Sequence, residues 1–301
     1  MDLKDWLLLI ILGAVWGSAF MFIKVSAVDF GPILLVALRL LLAGLLFVPF
    51  LVQKKYRALF KSHFTGIMVV ALFSNAIPFT LFSYASLGAT SNMLGILNGA
   101  TAFLTTVIAY FWLKESISIK QLLGLLLGFI GILILVNPAN GSSTISASLC
   151  ALFGALCYAF NGTYIQKYHL ESNKFVLIGW SMLIGGLIMV PFAAFNLPDT
   201  LPSTNSLIAL LWLGIVSTGI AYLGYIRLIE RIGAVRTSTV TYLLPVFSIL
   251  WGSIFLQEQI TLIILGGFIF VMMGMYFANT AINKSTDEYN ELYRRITFKS
   301  R

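Results

Sequence analysis

GAVRTSTVTYLLPVFSILWGSIFLQEQITLIILGGFIFVMMGMYFAN, residues 233–279, repeats an earlier stretch, GATSNMLGILNGATAFLTTVIAYFWLKESISIKQLLGLLLGFIGILILV, residues 88–136. Glu115 aligns with Glu258, Gly124 with Gly267, Gly131 with Gly274 and Val136 with Asn279, each pair 143 residues apart. Upstream, Ser74, Ile77, Phe79 and Phe82 match Ser217, Ile220, Tyr222 and Tyr225 at the same spacing. Between these blocks Gly88 and Ala89 match Gly233 and Ala234 at 145, so a two-residue slip enters and leaves. A period near half the chain marks a duplicated domain and not a solenoid.

Composition identifies what was duplicated. The 301 residues are 59% hydrophobic and only 10% charged, against roughly a quarter charged in soluble domains. That balance belongs to a polytopic membrane protein. A chain crossing lipid must satisfy its own backbone, by helices or by a closed barrel. The apolar runs here last about 20 residues, the length of a spanning helix and twice that of a barrel strand. The expected fold is therefore all-α, with ten transmembrane helices over about 6–27, 32–52, 64–86, 89–113, 119–136, 146–166, 175–195, 206–226, 235–256 and 261–281. The first is expected to be a retained span, since Asp2 and Asp5 precede it and its apolar run is too long for a cleaved signal.

Charge orients the chain. All but two of the 19 Lys and Arg residues lie at the amino terminus, in the even-numbered loops or in the tail, and none lies in an odd-numbered loop. This bias predicts cytoplasmic termini and accounts for the net charge of +8 without a nucleic-acid surface. Five spans per half is an odd number, so the two copies face opposite ways. The expected layout is a first five-helix repeat over 1–136, an outer linker over 137–145, a second repeat over 146–281 and a basic cytoplasmic tail over 282–301. Inverted repeats of this kind build many secondary transporters, with the substrate bound near the midplane between the halves.

The ordered motifs Trp16-Gly17-Ser18 with Phe20, Leu38-Arg39 with Leu41, Leu42 and Ala43, Ala102 to Glu115, Tyr242 to Phe247 through Glu258, Ala221-Tyr222, and Arg231 to Ala234 resemble the drug/metabolite transporter superfamily in its ten-helix EamA branch. The resemblance covers nearly all of residues 6–281. It implies transport of small metabolites, often export of amino acids or amphipathic compounds. It also implies that spans 1, 3, 4, 6, 8 and 9 line a central cavity, with 2, 5, 7 and 10 around it. The first copy departs from the second in having Ala102 where the second has Pro245, so any hinge there is asymmetric.

The residues themselves propose a site. Asn75, Phe79 and Phe82 share one face of the third span, and Thr218, Tyr222 and Tyr225 one face of the eighth. Trp16 and Phe20 in the first span, with Tyr158 and Asn161 in the sixth, extend this aromatic wall. Such a wall with a few amide and hydroxyl groups suits an amphipathic small molecule; each ring taken alone is equally at home in helix packing. Asn98 and Thr241 belong to facing polar stripes on the fourth and ninth spans, one running through Ser91 and Thr105, the other through Ser238 and Ser248. Pro78 and Pro245 lack an N–H and free the carbonyls of Ser74 and Thr241. These readings make Trp16, Phe20, Asn75, Phe79, Asn98, Tyr158, Asn161, Tyr222, Tyr225 and Thr241 candidate cavity residues.

Lys24, Arg39, Pro78 and Pro245 are candidates for charge or gating roles. Lys24 and Arg39 are the only cations within spans. Lys24 is close enough to the turn around Asp29 to Pro32 to snorkel out. Arg39 lies about 10 Å below Pro32 by helix rise and is open to pairing with Asp29 or with carbonyls. Glu115 and Glu258, at span ends, are expected to fix helix ends or pair locally. The rows Gly124, Gly128, Gly131 and Gly267, Gly274 predict close helix packing.

No catalytic set, ATP-binding loop or metal-ligand cluster stands out, and Cys150 and Cys157 lie too far apart along one helix for a disulfide. The sequence therefore predicts a permease and no enzyme, with no cofactor or metal, and with a small-molecule substrate and membrane lipid as its partners. An exporter of an amino-acid-like metabolite is the first expectation. An importer of a cofactor-like metabolite, or a lipid-handling protein on the same frame, is the alternative. All eleven acidic residues lie in loops, tails or span ends, so flux without obligatory proton coupling is expected.

Overall fold

In lipid a helix is the cheapest way to pair every backbone group, and the chain takes that course throughout. The computed structural model describes residues 1–136, 143–168, 170 and 174–278. The expected tail over 282–301 and most of the linker over 137–145 lie outside these residues. Among the described residues nine helices are long and apolar enough to cross a membrane: α1 (Leu3–Phe30), α2 (Pro32–Leu51), α3 (Phe64–Ser86), α4 (Ser91–Leu113), α5 (Ile119–Val136), α6 (Ile145–Lys167), α7 (Lys174–Ala194), α8 (Thr204–Ile232) and α9 (Arg236–Phe255). A shorter apolar helix, α10 (Leu262–Ala278), follows. Among the described residues no strand forms, and a single isolated bridge joins Ala89 to Ser143.

Polar residues set the helix starts. The side chains of Thr90, Thr144 and Ser203 accept the amides of Met93, Ala147 and Ser206, capping α4, α6 and α8. The observed ends differ most from the hydropathy estimate at α8, which continues through Arg227 and Arg231 to Ile232. Hydropathy stops at the first charge, whereas the backbone continues. Arg231 Nε donates to Asp5 Oδ1 at 2.7 Å, tying the end of α8 to the start of α1. A short polar helix, Lys54–Ser62, bridges α2 and α3.

The duplication is written into the backbone as well as the side chains. A π-helical segment, Ala71–Ala76, interrupts α3, and another, Trp212–Ile220, interrupts α8. The first maps within the second at the spacing of 143. Pro78 follows the first, but its counterpart is Ala221, so a proline alone does not account for the widened turns. Among the described residues Lys114 (φ 58°) and Gln257 (φ 55°) are the two non-glycine residues in the left-handed region, and they too are 143 apart. Each lets the next amide turn back, Glu115 N to Ala109 O at 3.4 Å and Glu258 N to Gly252 O at 3.1 Å.

Packing follows the same pairing. α1 lies along α8 and α9, and its equivalent α6 lies along α3 and α4. α2 packs on α7, where a Cβ on Gly44 would fall 2.8 Å from the Leu183 Cα. α5 packs on α10, where Gly124 and Gly131 face the carbonyls of Gly274 and Gly267. Small residues let backbones approach to this degree in lipid, where dispersion contacts replace hydrophobic driving force.

Candidate functional site

The π turn in α8 prepares the site. A π-helical turn loosens the ordinary ladder and leaves carbonyls available, and the Ser217 carbonyl accepts the Trp16 indole N–H at 2.9 Å. That bond holds the Trp16 ring against two tyrosines of α8, 5.4 Å from Tyr222 and 5.2 Å from Tyr225 between centroids. Across the bundle Phe82 of α3 meets Phe20 edge-on at 5.6 Å and stacks on Tyr158 of α6 at 6.0 Å.

Arg39 connects these groups. It belongs to α2, yet it points inward and is only 6% exposed. Its Nε donates to Thr218 Oγ1 on α8 at 2.8 Å. Its Cζ lies 3.9 Å above the Phe79 ring of α3, a cation–π contact worth more when water is excluded. Tyr158 and Tyr222 pack against the same cluster as Phe79, the ring under the guanidinium. Asp29, a partner weighed from the sequence, instead accepts the Ser203 amide at 2.8 Å.

Seven of the sequence-derived candidates thus form one connected set: Trp16, Phe20, Arg39, Phe79, Tyr158, Tyr222 and Tyr225. Others lie elsewhere. Asn75, 2% exposed, donates to Ser181 Oγ on α7 at 3.0 Å and serves the α3–α7 contact. Thr241 is exposed, with its hydroxyl turned back to the Ser238 carbonyl at 2.8 Å. Asn161 is buried, and among the described residues its Oδ1 has no partner; Asn98 is half-buried at the end of the helical segment Ser91–Asn98, just before Gly99. Pro78 and Pro245 are buried within α3 and α9. Lys24 does not snorkel free: its Nζ donates to the Ala89 carbonyl at 2.6 Å and steadies the α3–α4 turn.

The facing polar stripes on α4 and α9 touch directly. A Cβ on Gly95 would collide with Ser248 Oγ, and Ser248 donates to the Pro245 carbonyl at 2.9 Å. Along this part the stripes are interhelical contact and not cavity wall. Beyond it Glu258 reaches over the start of α4, accepting Ser91 N at 2.7 Å, Ser91 Oγ at 2.9 Å and Asn92 N at 3.0 Å. Its repeat partner Glu115 does otherwise, accepting Gln166 Nε2 at 2.9 Å on the exposed surface. Thr218 and the Ser217 carbonyl are site groups that residue type alone did not single out as partners. Their signal was the register of α8, with Thr218 on the Tyr222 face.

An apolar helical bundle built of two like halves, with aromatic and polar groups gathered between them, is the architecture of a membrane transporter. The chain belongs to the EamA-like transporter family, whose pattern matches residues 4–137 and again residues 145–280. It is 26% identical over 280 residues to an uncharacterized transporter of Archaeoglobus fulgidus, covering 91% of this chain and 98% of that one. It is 26% identical to a probable amino-acid metabolite efflux pump of Salmonella typhimurium, covering 92% and 95% of the two chains. A chloroplastic WAT1-related protein of Arabidopsis thaliana is 30% identical, over 91% of this chain and 69% of that protein. A solved crystal structure 17% identical in sequence superposes with a TM-score of 0.64, covering 94% of this chain and 99% of the other, and so shares its fold. The protein is an integral membrane transporter, and not an enzyme.

Proposed function

We propose that this transporter exports a small amphipathic or zwitterionic metabolite, an amino acid in kind, across the bacterial cytoplasmic membrane by alternating access. The observation that carries the proposal is the site itself. Trp16, Arg39 and Phe79 from the first half meet Tyr158, Thr218, Tyr222 and Tyr225 from the second, at the seam two rocking halves would share. The amino-acid efflux pump among its relatives supports the substrate class and the outward direction.

In this reading ten helices cross the membrane as two inverted repeats, 1–136 and 146–281, joined by an outer linker, with both termini and the basic tail in the cytoplasm. The Glu258 end then faces outward and the Glu115 end inward. Glu258 clasps α4 to α9 and closes the outer end. Among the described residues Glu115 accepts Gln166 Nε2 of α6 and no bond joins it to the start of α9, which in this reading makes the inner end the looser of the two. In the reverse state Glu115 takes up that helix start and Glu258 releases Ser91 and Asn92.

Comparing metabolites in cells with and without the gene tests the function. An amino acid should accumulate inside cells lacking it, and unchanged pools in every class would overturn the proposal. Topology is checked with single cysteines. Lys55→Cys should be labelled from the cytoplasmic side and Asp199→Cys from outside; the reverse would break the inverted arrangement.

A further inference from the structure

Arg39 is a buried cation whose charge the protein leaves unanswered. Among the described residues no carboxylate lies within ion-pair distance; the ion pairs found there join Arg231 to Asp2 and Asp5. Burying an isolated charge costs several kcal/mol unless a counter-charge or hydrogen bonds compensate it. A guanidinium carries five N–H donors in a planar fork. Here the protein occupies one, Nε on Thr218 Oγ1, and shields one flat face with the Phe79 ring. Among the described residues the Nη edge has no acceptor.

That edge is not sealed. The fully enclosed polar atoms without partners are Ser83 Oγ, Thr101 Oγ1, Asn161 Oδ1, Trp180 Nε1, Ser217 Oγ and Ser253 Oγ, and the Arg39 nitrogens are not among them. The residual exposure of Arg39 therefore leaves its Nη edge in contact with space of at least the size of a water molecule. Tyr158 and Tyr222 pack in the cluster that contains Phe79, and Trp16 packs on Tyr222.

We propose that Arg39 is the carboxylate clamp of the transport site, and that the substrate is a monocarboxylate-bearing metabolite held two-pronged on the Nη edge. The proposal rests on the transport reading above and deepens it. Three features select the ligand. With Nε held by Thr218, the paired Nη donors remain free and match the two oxygens of a carboxylate. A single buried cation balances a single negative charge; Lys24, the other cation away from the cytoplasmic helix ends, is engaged with the Ala89 carbonyl. The surrounding rings provide apolar contact for the side chain of such a metabolite. Helix α2 is thereby a contributor to the site, although the family resemblance places it outside the lining set.

The test pairs each acid with its amide. Purified protein in liposomes is assayed for uptake of L-amino acids, of simple aliphatic and aromatic monocarboxylates, and of the matching carboxamides and decarboxylated amines. Wild type should transport one or more acids and discriminate against the amide by roughly ten- to hundredfold, as loss of hydrogen bonds to a charged group implies. Arg39→Gln should abolish that discrimination, and Arg39→Lys should retain part of it. Thr218→Val, which leaves the guanidinium in place but unpositioned, should weaken the preference severalfold. Since the acid–amide comparison is made on wild type, it stands even if Arg39→Gln does not fold. Transport of amides or amines as fast as acids, or undiminished acid preference in Arg39→Gln, would overturn the clamp and leave the transport reading intact. Transport of no solute in the panel by wild type would reject both.

Discussion

The two glutamates that end α4 and α9 share sequence position, backbone turn and preceding left-handed residue, yet they do different things. Glu258 accepts three hydrogen bonds from the start of α4, whereas Glu115 accepts one from Gln166 at the surface. The local chain does not decide this, because Lys114 and Gln257 are bent alike. The neighbour does. At the Glu258 end the residue six back is Gly252, and a Cβ there would press on Asn92, Ser91 and Glu258. At the Glu115 end that position is Ala109, with a methyl where the other end has none, and Glu115 meets Gln166 of α6. Two ends of one motif thus differ in how tightly they can close.

Breaking the tight end should have the largest effect. Glu258→Ala removes a charged acceptor from three donors at a helix start, a loss of about 2 kcal/mol or more. The melting temperature of the detergent-solubilised protein should fall, and a cysteine at Thr90 should become reactive from outside. An unchanged melting temperature and an unreactive cysteine would mean that the outer end is closed by something else. Gly252→Ala comes next. Overpacking of this kind costs about 1–3 kcal/mol, and it should expose the same cysteine while Glu258 is still present.

At the loose end stability and transport should separate. The exposed Glu115–Gln166 contact is worth under about 1 kcal/mol, so Glu115→Ala should melt like wild type. If Glu115 caps α9 in the reverse state, the same variant should transport several times more slowly. Wild-type transport by Glu115→Ala would leave the Glu258 contact as a fixed structural clasp and remove the proposed exchange. The smallest effect concerns protons. With Lys24 bound to the Ala89 carbonyl and no acid deep in a span, a pH gradient imposed on liposomes should drive no substrate accumulation. Accumulation that is abolished by Lys24→Gln would make Lys24 the proton carrier.

Much of the frame was legible in the chain because lipid leaves a spanning backbone few choices. A run of about 20 apolar residues becomes a helix, and the spacing of 143 that links Glu115 to Glu258 reappears in the π turns and in the left-handed residues. The glycine rows on α5 and α10 announced the close contact that forms between them. Helical periodicity likewise set which side chains share a face, and so grouped Phe79 with Phe82 and Tyr222 with Tyr225. A period says nothing about which helix that face will meet. Asn75 shares the face of Phe79 yet is taken by Ser181 of α7, and Thr241 lies in a polar stripe but ends up exposed.

Arg39 marks the boundary most sharply. By itself the sequence determined that a permanent cation lies about two turns inside an apolar helix, since arginine stays charged under any physiological condition. Only the tertiary structure decided that α2 turns this cation inward, onto the Phe79 ring and the Thr218 hydroxyl, with its outer edge unpaired. The reason is physical. Periodicity fixes angles around one helix axis, while a charge's partners depend on the rotation and approach of its neighbours, which are set by packing over the whole bundle.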